Sequence, residues 1–451
     1  MAKLEFPATF RFGASSAAQS SEGAPRADGR EDSIWDVFAA QPDRIRDASL
    51  PFPASDSHRR AQDDVALLRS AGATSYCFSL AWPRILPRGS GRANAAALDH
   101  YGRLVDALLA AGIRPLPTLY HWDLPQRLEQ RGGWPLRDTA GRFADYAHAV
   151  ARALGDRVDD WLLFADPLSF ALRGYGTGTH APGRADPAAF WRATHVINLA
   201  QAEGARALRA ERPALRVGTA LGLWASEPAR DLAEDLAAAA RWQRLGFEWF
   251  SAPLRGEPYP DLALAAPSLE ARLDWRDGDE ERLRAPLDFL GVALRQRLRV
   301  RCAPGHPLGL DAVATAAFRA RDGCSEADDP ERARALGRSL VEFSRANGGP
   351  PIEVSASAVA RADEQPLRGS VDDAPRIDCH ARVLAALGEA LAQGVDLRSY
   401  HVWSLLDGFE WEAGTARRCG LVHVDPATGE RTPKRSAGWL ARVAAERGLA
   451  V

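Results

Sequence analysis

A (β/α)8 barrel, the TIM-barrel fold, in a single domain over residues 1–451 is what this sequence predicts. Three observations predict it: short apolar runs alternate with amphipathic helical stretches along the whole chain, there are eight such runs, and no Gly-rich phosphate fingerprint opens any helix. Runs that are apolar throughout, instead of at every second position, mark strands buried on both faces, as in a parallel sheet covered by helices. A doubly wound open sheet is the competing architecture; eight regular units without the fingerprint favour closure.

The runs, in order, are FRFGASSA (10–17), SYCFSLAW (75–82), RPLPTLYHW (114–122), DWLLFAD (160–166), RVGTALGLW (216–224), DFLGVALR (288–295), PIEVSAS (351–357) and SYHVWSLLD (399–407). Each is short and rich in β-branched, aromatic or leucine residues, as a buried strand requires. Before the third run, Leu98, Tyr101, Leu104, Val105, Leu108 and Leu109 recur at helical spacing until Gly112 closes the helix. The Arg- and Asp-rich stretches 271–285 and 320–338 read as solvated loops and helix faces, not as domain boundaries. In a closed barrel of this kind the functional residues stand at the carboxyl ends of the strands.

Composition narrows the partners. A formal net charge of -2, without a basic run or an acidic tail, gives no electrostatic reason to expect nucleic acid or a membrane surface. A small-molecule ligand is the better expectation, and the oligomeric state is left open. The opening MAKLEFPATF lacks a basic region followed by an apolar run, and no stretch reaches the roughly 18–20 apolar residues that span a bilayer, so a cytoplasmic location is expected. Cys77, Cys302, Cys324, Cys379 and Cys419 are odd in number and form no C-x-x-C pair, which argues for reduced, mostly buried thiols. No His/Asp/Glu cluster falls at metal-ligand spacing, so neither a metal nor another cofactor is expected.

Read in order, the strand ends give SLAWPRILP, TLYHWDLP, LLFADPLSF, FLGVALR, PIEVSASA and VWSLLDGFEW, with GYGTGTHAPG and GLVHVDPATGERTPKRSA between and after them. Together, from Phe10 to about Trp439, they resemble glycoside hydrolase family 1, the β-glucosidase family. The resemblance implies a barrel that binds sugars, and it also assigns positions. The acid/base glutamate of the family's T-F-N-E-P motif falls on Asp166, and the nucleophile of its T-E-N-G motif falls on Ala356. The family arginine of Y-R-F-S is Cys77, the asparagine before the acid/base is Ala165, and N-Y-Y has become Ala293, Leu294 and Arg295. The glutamine of Y-Q-I-E-G is Ser20, the asparagine of L-D-N-F-E-W is Gly408, and the aromatic residue of the late R-F-G motif is Cys419. His121, Trp122, Trp403, Glu410 and Trp411 keep the family's sugar-contact identities.

The chemistry at stake is independent of the name. A retaining glycosidase needs two carboxyl groups about 5–5.5 Å apart, one as acid and one as nucleophile. Alanine forms no glycosyl ester, so by this reading the chain is a degenerate member to which the two-step mechanism is closed. Glu353 lies three residues before Ala356, and strict strand alternation points it to the helices, as it does Ser355 and Ser357 unless the strand end bends. Cys77, Ala165, Leu294 and Ala356 make one side of the pocket apolar, which favours a partly hydrophobic ligand. Each indole taken alone is better explained by core packing, whereas the three as a set on matching motifs point to ligand contact.

Three functions follow as expectations. The first is repurposed acid/base chemistry (isomerisation, cyclisation or elimination) on a small, natural-product-like substrate, with Asp166 as acid or base, assisted by His121 or Glu410. The second is a non-catalytic glycoside-binding or scaffolding protein. The third is residual glycosidase or transglycosylase activity.

Overall fold

The structure, a computed structural model, describes residues 3–262, 268–304, 306, 308–314, 331–360, 366 and 369–450. Eight parallel strands close into a barrel: β1 (Arg11–Ser16), β2 (Ser75–Ser79), β3 (Arg114–Tyr120), β4 (Asp160–Ala165), β5 (Arg216–Pro228), β6 (Phe289–Cys302), β7 (Ile352–Ala358) and β8 (Leu397–Trp403). Each pairs with its sequence neighbour, and β8 closes on β1 with Ser399 opposite Arg11 and Trp403 opposite Ser15. A long helix follows each strand: α1 (Ala61–Ser70), α2 (Ala95–Ala110), α3 (Asp138–Leu154), α4 (Pro187–Glu211), α5 (Ala233–Phe247), α6 (Arg332–Ala346), α7 (Ala374–Ala392) and α8 (Arg435–Glu446). The fold is therefore the expected (β/α)8 barrel.

Local sequence explains the pieces. β2 is buried at every position and β3 at all but its first, as strands sandwiched between a barrel interior and a helical shell must be. In α2, Tyr101, Val105 and Leu108 face inward as the spacing predicts, whereas Leu109 is exposed. The helix ends before Gly112, whose φ of +72° a side chain would resist. Cys77, Cys302, Cys379 and Cys419 are free thiols, and Cys302 is only partly buried; Cys324 lies outside the described residues.

The barrel interior is layered. At the amino-terminal end Arg114 pairs with Asp160 at 2.6 Å and with Glu353 at 3.1 Å, and Arg216 reaches Asp160 at 3.3 Å. Above this charged layer Cys77, Leu116, Leu162, Ala220 and Phe289 form an apolar plug, on which the mouth is built.

Two expectations need correction. Glu353 faces the barrel interior, not the helices, because the β7 register shifts against β6 between Val354 and Ala356 and against β8 between Val354 and Ser357, and the bulge resets the alternation. It belongs to the charged layer at the amino-terminal end, held by Arg114. Stretch 271–285 is not wholly solvated: Asp279 is buried and ion-paired with Arg137 and His195. β5 and β6 run past the mouth as a ladder joined by the antiparallel strand Leu310–Ala314. The part of 320–338 up to residue 330 lies outside the described residues.

Candidate active-site cavity

The carboxyl ends of the strands enclose a cavity of about 110 Å³. Its walls include Ser15, Ser16, Cys77, Thr118, His121, Trp122, Ala165, Ala293, Leu294, Arg295, Ser355, Ala356, Ala358, Trp403, Glu410 and Trp411. The four residues expected to make an apolar side, Cys77, Ala165, Leu294 and Ala356, are thus brought together from β2, β4, β6 and β7. A neighbouring hollow of about 320 Å³ shares Ser169, Arg173, Trp224 and Gln296 with it and adds Leu168, Leu172, Trp242 and Leu298 alongside Thr177, Thr179, His306 and Asp311.

Four aromatic side chains stack around the polar half. His121 and Trp122 follow β3; Trp403 ends β8, and Glu410 and Trp411 stand on the loop after it. The Trp122 and Trp411 rings are 4.4 Å apart, and His121 lies 5.3 Å from Trp403 and 5.6 Å from Trp411. Trp122 Nε1 donates to the Ala165 carbonyl at 2.7 Å, which ties the β3 end to the β4 end. Trp122, Asp166 and Trp411 hold φ of 76°, 45° and 53°. Left-handed backbone at bulky residues costs roughly 1–3 kcal/mol each and gathers where a site over-determines it.

Glu410 accepts from Trp403 Nε1 on both oxygens, at 3.0 and 3.2 Å. Burial raises its carboxyl to about 7, against the pull of Arg417 and of the indole hydrogen bond. His121 is pushed down to about 3, by burial first and then by the Arg295 charge, so it is a neutral imidazole at physiological pH. Burial takes the Cys77 thiol up to about 12, which makes it inert. Burial works against ionisation of Glu412 as well, but the His180 hydrogen bond at 2.8 Å and the Arg173 charge hold it well below the usual carboxylate range.

The raised Glu410 carboxyl has a measurable sign. Its folded value lies above the ordinary one near 4.5, so the stability tied to its neutral form is fully present below that value and is lost as pH rises through about 7. The loss is on the order of 3 kcal/mol. Between pH 4 and pH 8 the unfolding free energy of the protein should fall by that much more than that of Glu410→Gln, as read from urea titrations; parallel profiles would contradict the assignment.

Asp166 is placed differently from the sequence expectation. It caps the helix Pro167–Ala171 with Pro167 at the first helical position, and its side chain is fully buried and is not part of the cavity wall. Oδ1 accepts from the Ser169 amide at 3.2 Å, while Oδ2 accepts from Ser169 Oγ at 2.6 Å and from Arg295 Nε and Nη2 at 2.7 and 2.6 Å. A Cβ on Gly222 would lie 2.7 Å from Oδ1, so the glycine makes room for this carboxylate. With both oxygens engaged, Asp166 in this arrangement presents no free acid to a ligand. Ser20 is also withdrawn: it is buried, sits behind the wall, and leaves space only for a glycine at 408. Ser355 does line the cavity, brought inward by the bulge, whereas Ser357 faces outward and accepts from the Tyr400 hydroxyl at 3.1 Å.

Arg295, Arg173, His180 and Glu412 are site residues that sequence reasoning did not single out. For Asp166, one signal was available: Asp-Pro followed by a serine at the third helical position is an N-cap pattern. No group of three His, Cys, Asp or Glu among the described residues is arranged to hold a metal ion, and none of their helices is long and apolar enough to cross a membrane.

A parallel (β/α)8 barrel whose mouth holds stacked indoles around a buried carboxylate defines a glycosidase-like barrel protein. The family model described as "Glycosyl hydrolase family 1" matches residues 2–449, and the chain belongs to that family. It is 34% identical to Beta-glucosidase A of Acetivibrio thermocellus over the full length of both, and 40% identical to Thermostable beta-glucosidase B of Thermobispora bispora, covering 99% of this chain and 92% of that one. The family 1 β-glucosidase from Thermotoga maritima superposes with a TM-score of 0.91 over 100% of both chains, at 30% identity. The same Thermotoga enzyme in complex with deoxynojirimycin also gives 0.91, over 99% of this chain and 100% of that one, at 31% identity.

Proposed function

We propose that this protein is a family member that recognises a glycoside without cleaving it by the retaining mechanism. The observation that carries the reading is the divided site: Trp403, Glu410, Trp411, His121 and Trp122 line the cavity, while Asp166 is buried beneath Arg295 and Ala356 occupies the end of β7. Indole faces take up the apolar faces of a sugar ring, and a carboxylate held by one indole N–H keeps lone pairs for ligand hydroxyls. Neither a nucleophile nor an exposed acid stands at the two strand ends where the family resemblance puts them.

Calorimetric titration with glucose and with deoxynojirimycin tests this. Saturable binding is expected, weakened about tenfold or more in Glu410→Ala, since a charge-assisted contact is lost. Absence of any binding heat would overturn the proposal.

One observation favours repurposed acid/base chemistry as a second reading, with a changed agent. Glu410 lines the cavity with a carboxyl near 7, the range in which a general acid or base works best at physiological pH. Product formation from a bound ligand, abolished in Glu410→Gln while binding survives, would select this reading over simple recognition.

A further inference from the structure

We infer that the cavity is built to receive an oxyanion, a carboxylate or phosphate carried by the bound sugar or bound beside it, on the free edge of Arg295; the inference deepens the recognition role proposed above and rests on it. Arg295 stands at the mouth end of β6 with its side chain about a quarter exposed, on a cavity wall. Its Nε and Nη2 are both spent on one oxygen of Asp166. An arginine carries five N–H donors in a planar fork, so the opposite edge, Nη1 with the remaining Nη2 hydrogen, is left over. That edge meets no acceptor among the described residues.

The guanidinium is fixed from two other directions. Asp166, itself tied down by Ser169, anchors it from behind, and Trp122 lies under its face with 5.8 Å from Cζ to the ring centroid. A planar donor pair held by a buried carboxylate and an aromatic face is preorganised, so little side-chain entropy is lost when an anion docks. The surroundings suit an anion of modest size. Ala293 and Ala356 are register partners on β6 and β7, and with Ala358 they are small side chains lining the same cavity as Arg295. Thr118, Ser16 and Ser355 add neutral hydroxyls to the wall. A carboxylate matches two parallel N–H groups edge to edge, and a phosphate does so with one oxygen to spare.

The test is calorimetry on the full-length protein with glucose, D-glucuronate, and glucose in the presence of acetate or inorganic phosphate. It is repeated on the double variant Asp166→Asn/Arg295→Gln, which removes both charges together and so leaves none buried alone. D-Glucuronate binding about tenfold tighter than glucose, with the gap closing to about twofold in the double variant, supports the inference and places the charge on the sugar. A comparable gain for glucose when acetate or phosphate is added, also lost in the double variant, supports it with a separate ion. Glucose binding that is indifferent to every anion overturns the inference and leaves the recognition role standing. Phosphate binding without glucose binding sustains the anion site and removes the sugar platform, and no binding by any probe removes both. Arg295→Lys, which keeps the charge but not the fork, should retain only part of the gain; full retention would overturn the two-donor geometry.

Discussion

Incubation with an aryl β-glucoside is expected to give aglycone release at least about 10⁴-fold slower than a competent two-carboxylate site would, indistinguishable from the uncatalysed background. Two carboxylates do line the cavity, Glu410 and Glu412, but both rise from the same loop after β8. Glu410 is tied to Trp403, and Glu412 to His180 and Arg173. Neither occupies the ends of β4 and β7, from which the two groups of the resembled mechanism flank the scissile bond. Restoring the nucleophile alone should not restore hydrolysis. A glutamate at 356 would stand next to the strand that carries Arg295, since Ala356 is in register with Ala293, and would pair with that guanidinium; Asp166 would remain beneath it, off the cavity wall. The triple change Ala356→Glu, Asp166→Glu and Arg295→Tyr, which returns the residues of the family pattern, is the smallest set expected to raise turnover above background. Continuous release of aglycone by the unaltered protein, lost in Glu410→Gln, would contradict this account.

Arg295→Leu on its own should destabilise the protein by about 3–5 kcal/mol, the usual cost of leaving one member of a buried ion pair alone. The cost should be asymmetric. Asp166 is fully buried while Arg295 is about a quarter exposed, so stripping the arginine strands a charge that water cannot reach, whereas Asp166→Asn leaves a guanidinium that can still be solvated. In Arg295→Leu, Ser169 keeps its two hydrogen bonds to the carboxylate, which limits the damage. The double variant Asp166→Asn/Arg295→Leu should recover most of the loss. Urea denaturation of the four proteins closes the cycle, and a coupling energy below about 1 kcal/mol would show that the pair is a loose surface contact instead of the anchor described here.

How far the site could be read in advance depended on how local each determinant is. His121 and Trp122 close the run 114–122 and Trp403 lies within the run 399–407, so a strand assignment places them near the barrel mouth, and the structure sets all three on the cavity wall. Cys77, Ala165, Leu294 and Ala356 were legible in the same way. Asp166 and Ser20 were not. Each stands near a strand end, yet the first is drawn under the wall by an arginine 129 residues away, and the second is held behind it against the backbone at Gly408. Glu353 shows the same limit in a strand. Alternation by two holds only while the ladder is regular, and the bulge near Ser355 is set by pairing with β6 and β8, which the β7 sequence does not contain.

By itself, the sequence determined the architecture and the chemical inventory at the strand ends. Eight apolar runs between amphipathic helices can bury their surface in few ways, and hydrophobic burial depends on local pattern. The tertiary structure alone decided which of those end residues face a ligand. Ion pairing and desolvation are settled by whatever charge the fold brings within reach, and here it set Arg295 between Asp166 and the cavity and left Glu410 and Glu412 as the carboxylates on the cavity wall.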